Sequence, residues 1–469
     1  MCFAAEKTGE YTMPGYATWK QLYCEEFRSM TDEGYDTEAA LSPSDGKAPL
    51  PFPDYVNSEQ VTEESERRWR EAYERLWALR GNGISADYRY DEPMGYENII
   101  SAAAGCPVYG RLSEEEYRNR IIGAVCGRAA GVILGKPVEM GFDRKKIREY
   151  LESVGEYPLN DWISAYSPVL DLRLREDCLP STKGNVAYVQ PDDDIHYTIL
   201  ALLLAERKGM GFTLNDVGEN WLDNVPYHWF WCASRQAYYR MVNFEDSIPR
   251  EKQIAEIPYR LNPWRECIDG QIRCDAWGYF FPGNPRRASE PAYRDCSFSL
   301  TKNGCYGGMF VAGCISASLS ENPTVDGILD GGLSVIPEGS RLAEAVRFVR
   351  EKYAECGDWE RVCGMIEERY GDIPFCGTVN NLAMVVLALV HGGLDYTKTI
   401  TTAVMCGIDT DCNAGTAGSI CGAAVGRGGI GDRWISPLND TVKTAILDYG
   451  TGTLSGLAER IIKIGLSNL

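Results

Sequence analysis

Two ridges of glycine constrain this chain more than any other feature. Gly123, Gly127, Gly131 and Gly135 recur every four residues in "GAVCGRAAGVILGKPVE", and Gly418, Gly422 and Gly426 do the same in "GIDTDCNAGTAGSICGAAVG". A glycine inside a helix costs roughly 1 kcal/mol relative to alanine. On a helix, a spacing of four sets these residues on one side, giving a surface bare of side chains against which another helix packs at short distance. Tight packing is enough to explain the ridges alone. Their consequence is that the loops flanking each ridge are drawn together.

The remaining pattern is helical. Ser113 and Glu116 in "RLSEEEYRNR" have the S-x-x-E spacing of a capping box and open a helix. Apolar residues at helical spacing follow Asp194 (Ile199, Leu200, Leu203, Leu204) and cover Arg341 to Lys352, Thr378 to Val390, Ile400 to Met405 and Leu454 to Ile464. No sustained period-two alternation occurs. The expected fold is all-α, a compact multi-helix domain over 111–469. Residues 1–110 form a polar, mainly helical extension, with one helix from about Thr62 to Arg80 that sets Trp69, Tyr73, Leu76 and Trp77 on one face.

Two acidic clusters sit just before helical segments: Asp192, Asp193 and Asp194 in "QPDDDIHYTIL", and Asp409 and Asp411 in "GIDTDCN". One aspartate serves as an N-cap, and the helix dipole favours it. Three in a row repel one another, so the surplus calls for a cation. In a turn or extended backbone, residues i and i+2 point the same way, so Asp409 and Asp411 aim at one locus. Oxygen ligands in a chain with three histidines suit Mg²⁺, Mn²⁺ or Ca²⁺ rather than zinc or copper. Two other motifs fail on inspection. "DTDCNAG" has Ala414 and Ile420 where an EF-hand needs glycine and glutamate, and "GVILGKP" has Pro137 where a phosphate-binding loop needs serine or threonine.

The totals exclude several partners. A formal charge of −20, with no lysine- or arginine-rich run, argues against a nucleic acid or an anionic membrane. The seventeen cysteines are scattered, odd in number and without any C-x-x-C pair, which points to reduced thiols in the cytoplasm rather than a disulfide framework or a zinc motif. The start of the chain lacks a signal-peptide pattern, and no uninterrupted apolar run of about 20 residues is expected to span a bilayer.

Three segments resemble the ADP-ribosylglycohydrolases. "GAVCGRAAGVILGKPVE" is similar to that family's opening glycine-rich helix, "DDDIHYTILALLLAE" to its [ST]-D-D-T motif and the helix after it, and "GIDTDCNAGTAGSICGAAVG" to its closing G-x-D-T-D segment. Their order and rough spacing agree over about 115–430; "TKNGCYGGMF" is similar to the family's central Asn-Gly loop. The resemblance implies an all-α fold holding two Mg²⁺ ions between the acidic clusters, with Mn²⁺ or Ca²⁺ as alternatives. It implies Asp193, Asp194, Asp409 and Asp411 as metal ligands, with Asp192 and Cys412 at neighbouring ligand positions. Glu139 would be an acid, base or gating group, and Asp193, Asp194 and Asp411 would share in catalysis. Asn303, Gly304, Tyr306 and Gly307 are candidates for lining the substrate pocket, and Arg273 and Asp275 for contacting a diphosphate or sugar.

The chain also departs from the family pattern. Asp192 stands in place of threonine or serine, Ile195 in place of threonine, Cys412 in place of a hydroxyl residue and Val132 in place of aspartate. A thiol is a poor magnesium ligand. The function implied is metal-dependent hydrolysis of a ribosyl N- or O-glycosidic bond, on an ADP-ribosylated protein or a small ADP-ribosyl compound. Two alternatives stay open: a nucleosidase or glycosidase acting on a simple riboside, and a catalytically weak protein that binds ADP-ribose. Arg286 and Arg287 are expected on the solvated surface, and the aromatics Tyr227, Trp229, Phe230 and Trp231 in the core.

Overall fold

The computed structural model describes residues 17–41, 46, 49, 62–167 and 174–469. Within it the two glycine ridges meet face to face. Helix Glu114–Gly135 runs antiparallel to helix Thr410–Val425, each step of four along one matched by a step of four back along the other. A Cβ on Gly123 would stand 2.5 Å from the Gly422 carbonyl oxygen, and one on Gly127 2.4 Å from that of Gly418. The same atom on Gly131 would stand 2.1 Å from the Ala414 oxygen, and on Gly135 2.3 Å from that of Thr410. Any side chain at these positions would push the helices apart. Thr410 then ties the ends together, its hydroxyl donating to the Gly135 carbonyl at 2.8 Å.

Around this pair the chain is built of helices. The described strands, Val442–Lys443 and Thr451–Gly452, form one short antiparallel pair with Val442 opposite Gly452. Helices Asp193–Lys208, Lys302–Ser318 and Thr378–Gly392 are almost wholly buried, and their side chains join the 114–135 and 410–425 helices in one continuous apolar core. Segment Glu114–Val138 is long and apolar enough to cross a bilayer, contrary to the expectation from the sequence. Yet 89% of its most apolar window is buried inside the fold. A helix packed on every side by its own protein needs an apolar surface all round, so its composition reflects the core.

The expected capping box at Ser113 is half formed. Ser113 accepts from the Glu116 amide at 3.2 Å, but the Glu116 carboxylate turns to Arg120 at 2.7 Å instead of returning to the cap.

The N-terminal part contributes helices Trp19–Asp32 and Glu63–Ala78, the second matching the predicted span to within two residues at its C-terminal end. Trp69, Tyr73 and Leu76 join Leu22, Tyr23 and Met30 in a second, smaller core that packs on Leu261 and Trp264. The attachment is also ionic. Arg265 is fully buried and holds Glu26 at 2.8 Å, together with Glu33. Glu92 binds Arg341 at 2.8 Å.

Two stability changes follow. Gly131→Val forces a side chain into the Ala414 carbonyl and should cost about 1–3 kcal/mol or more in urea denaturation, as overpacking does. Arg265→Met removes the close partner of buried Glu26 and one of three cations on Glu33, and should cost about 3–5 kcal/mol, with protease cleavage between 80 and 110 accelerating in parallel.

Candidate metal centre

The antiparallel contact delivers the C-terminal end of one glycine helix to the N-terminal end of the other. Lys136 and Glu139 leave the first helix just where Asp409 and Asp411 enter the second. The turn into Asp409 is strained: Gly407 has φ +78° and Ile408 φ +60°, a left-handed conformation that a β-branched residue rarely adopts. The third participant, Asp192–Asp194, caps helix Asp193–Lys208, with Asp192 Oδ1 accepting from the Asp194 amide at 3.1 Å.

The carboxylates converge in three overlapping groups whose ligand atoms lie within 4.8 Å of one another. These are Glu139 with Asp409 and Asp411, Asp194 with Asp411 and Cys412, and Asp192 with Asp193 and Asp194. All seven predicted acidic or metal-site residues are thus brought together across the chain. Burial, then the charges of Asp411 and Glu139, pushes the Asp409 carboxyl well above the usual carboxylate range. Burial and the neighbouring aspartates do the same to Asp193, and burial with Asp411 and Asp192 to Glu139. Asp411 is raised as well, by burial and by Asp192.

Two cations of the chain itself partly relieve this crowding, and sequence reasoning missed both. Lys136 pairs with Asp192, and although burial opposes its charge, Asp192 and Asp411 keep it protonated. Its signal was present in "GKPVE", where it was weighed only as part of a phosphate-binding loop. Arg128, on the same helix two turns earlier, binds Asp194 at 3.0 Å and Asp275 at 3.1 Å, and reaches the Ile272 carbonyl at 2.8 Å. Cys412 donates its thiol proton to the other Asp194 oxygen at 3.1 Å. Burial, foremost, and the surrounding aspartates hold that thiol well above its ordinary range. Val132, in place of the family's aspartate, is buried against Gly415.

What remains are oxygens that these hydrogen bonds do not satisfy. Asp409 Oδ1 is buried without a hydrogen bond, and Asp193 takes none among the described residues. A buried carboxylate oxygen left unpaired costs free energy unless a cation meets it. The donor set of Glu139, Asp193, Asp409 and Asp411 is all oxygen and therefore fits a hard divalent cation.

The remaining predicted residues lie elsewhere. Asn303, Gly304, Tyr306 and Gly307 stand inside helix Lys302–Ser318 and are buried. Asn303 is spent on Glu92 at 2.7 Å, Glu266 at 3.1 Å and the Leu342 amide at 3.1 Å, and the Tyr306 hydroxyl on the Pro93 carbonyl. The two glycines let the Arg265 carbonyl and Thr378 approach closely. Arg273 is fully buried with Asp295 and Ser299, and Asp275 supports Arg128. This placement gives none of the six an open face toward substrate; Asp275 acts on the site only through Arg128. Arg286 binds the Ile100 and Ala104 carbonyls and Arg287 binds Asn468. Phe230 is core, whereas Trp231 is 43% exposed, contrary to expectation. A cavity of about 250 Å³ lined by Arg144, Arg148, Tyr157 and Trp359 includes none of the acidic residues. Its arginines are already paired, with Glu367, Glu152 and Glu360.

The ADP-ribosylglycohydrolase family model matches residues 113–466. The chain belongs to that family. A solved structure described as an ADP-ribosylglycohydrolase-related protein complex is similar at 17% identity, covering 76% of this chain and 100% of that one, with a TM-score of 0.48. A search of curated proteins gives no match. The match opens at Ser113, the N-cap of the first glycine helix, so the small N-terminal core lies outside it. Members of this family are typically metal-dependent, and here the acidic cluster supplies suitable donors.

A cation that binds only the folded protein stabilises it by RT ln(1 + [L]/Kd), about 2.7 kcal/mol at a hundred times Kd. Millimolar MgCl₂ or MnCl₂ should therefore raise the melting temperature of the metal-free protein. Asp409→Asn should remove most of that rise in differential scanning fluorimetry.

Proposed function

We propose that this ADP-ribosylglycohydrolase relative is a divalent-metal-dependent hydrolase of a ribosyl N- or O-glycosidic bond. Its substrate would be an ADP-ribosylated protein or a small ADP-ribosyl compound. The observation that carries this reading is the convergence of Glu139, Asp409 and Asp411, with Asp409 Oδ1 buried and without a hydrogen bond, in a fold of this family. Asp409 and Asp411 would hold one Mg²⁺ beside Glu139, and Asp193 with Asp194 would border a second; Mn²⁺ or Ca²⁺ suits the same donors. A bound divalent cation supplies orientation of vicinal sugar hydroxyls, acidification of water and stabilisation of developing charge.

The chain's own groups do the rest. Glu139 is about one-fifth exposed, and burial with the charges of Asp411 and Asp192 raises its carboxyl above the usual range, which suits it to protonate the leaving atom at the ribose anomeric carbon. As that bond breaks, positive charge grows on the sugar ring, and the carboxylates around it stabilise that charge. Water adds its hydroxyl to the anomeric carbon, and its proton passes to a cluster carboxylate. Arg175, 3.8 Å from Glu139, steadies the ionised form afterwards. Arg128 and Lys136 are positioning residues, since both hold aspartates and neither is free to meet a diphosphate.

Incubation of the full chain with MgCl₂ and ADP-ribosylated protein should release free ADP-ribose. Glu139→Gln should slow that release roughly a hundred- to ten-thousand-fold, and Asp411→Ala should abolish its dependence on added metal. Turnover of simple ribosides alone would establish the nucleosidase alternative. ADP-ribose binding without turnover of any riboside would establish the binding protein instead.

A further inference from the structure

A second cluster of ligands, chemically unlike the first, lies outside the acidic centre. Cys232 opens helix Cys232–Val242, Cys267 precedes helix Asp269–Arg273, and Cys376 precedes helix Thr378–Gly392. The Cys376 sulfur stands 3.7 Å from that of Cys232 and 3.4 Å from that of Cys267, and all three lie within 4.8 Å of one another. A disulfide needs about 2.05 Å, so these are three thiols. Sulfurs bound at about 2.3 Å to one tetrahedral ion stand about 3.8 Å apart, close to the spacing observed.

The backbone is organised to hold them. Cys267 bridges Gly377, the Ile268 amide donates to the Cys376 carbonyl at 2.8 Å, and the Thr378 hydroxyl donates to the Cys267 carbonyl at 2.7 Å. Cys232 has φ +43°, a conformation that a residue with a side chain rarely adopts and that persists where its surroundings fix it. Cys267 is buried, and Cys232 and Cys376 are half-buried. The neighbouring carboxylate, Asp269, is occupied by the Ser234 amide and hydroxyl at 3.0 and 2.6 Å. Hydrogen bonds from Cys232 and Cys267, with the more distant charge of Arg28, hold the Cys376 thiol well below its ordinary range.

We propose that Cys232, Cys267 and Cys376 form a three-thiolate site for a borderline or soft cation, zinc in the first instance. Binding releases one proton from each thiol to solvent and leaves the metal's oxidation state unchanged. Thiolate donors select against magnesium, so the two centres take different metals. Asn381 links the thiol site to the acidic turn. Asn381, in the first turn of the 378–392 helix, donates to the Phe375 and Gly377 carbonyls at 2.8 Å and accepts from the Asp409 amide at 3.4 Å. A metal at Cys376 thus pins the segment that Asn381 links to the acidic turn.

The test uses the full chain, purified under reductant and stripped with a chelator. Cobalt(II) titration of the wild type should give an ultraviolet thiolate-to-cobalt charge-transfer band, and zinc should displace it at about one equivalent. Asp409→Ala, which damages the acidic centre, should keep that band. Cys376→Ser should lose it, and Cys232→Ser should weaken cobalt affinity at least about tenfold, with circular dichroism confirming that each variant folds. Absence of the band from the wild type would overturn the proposal, as would unchanged zinc retention in Cys376→Ser. A Cys267–Cys376 disulfide found by mass spectrometry in unreduced protein, with no metal taken up after reduction, would overturn it too and identify a redox pair.

Discussion

The contact between two bare helix faces is the constraint from which the rest of this structure follows. Helices normally keep 8–10 Å between axes because side chains interdigitate. Here the carbonyls of one helix occupy the space that side chains would fill on the other, at four successive turns. That closeness is paid for in helix propensity, glycine by glycine. The return is positional: an antiparallel contact in register fixes the end of one helix against the start of the other. Gly135 and Thr410 share a hydrogen bond, and Glu139, Asp409 and Asp411 are neighbours as a direct consequence.

Electrostatics then decides what such a meeting point can be. Burying several carboxylates together is among the most unfavourable arrangements a fold can hold. This chain neutralises part of the set internally, through Lys136 on Asp192 and Arg128 on Asp194, and orients the rest. The division is informative. Asp192 and Asp194 are fixed by these partners, whereas Asp409 keeps one buried oxygen, Oδ1, without a hydrogen bond, in the group it forms with Glu139 and Asp411. The acidic surface of the whole protein is consistent with this, since a net charge of −20 favours the approach of cations.

Much of this was legible in the sequence because it is periodic or local. Spacing of four gave the glycine faces, and "DDD" and "DTD" before apolar helices gave the acidic turns. Three-fold order of motifs gave the family. What escaped was what only the tertiary structure places. Asn303, Gly304, Tyr306 and Gly307 read as a loop because Asn-Gly is a turn signal, yet tertiary packing carries helix 302–318 straight through them. Arg273 looked like a ligand for a diphosphate, but its partners, Asp295 and Ser299, lie on segments whose approach no local pattern announces. The three-cysteine cluster has separations of 35 and 109 residues along the chain, so no motif could flag it. Strands are a small exception in the other direction: one two-residue pair is too short to leave an alternation.

The most direct test of the central claim is anomalous diffraction from a crystal of the full chain soaked in Mn²⁺. The account predicts an anomalous peak enclosed by Glu139, Asp409 and Asp411, about 2.0–2.6 Å from the Asp409 and Asp411 carboxylate oxygens, with the 114–135 and 410–425 helices in contact along their glycines. A fully occupied manganese bound elsewhere with that enclosure empty, or helices separated so that the two acidic turns no longer meet, would contradict it.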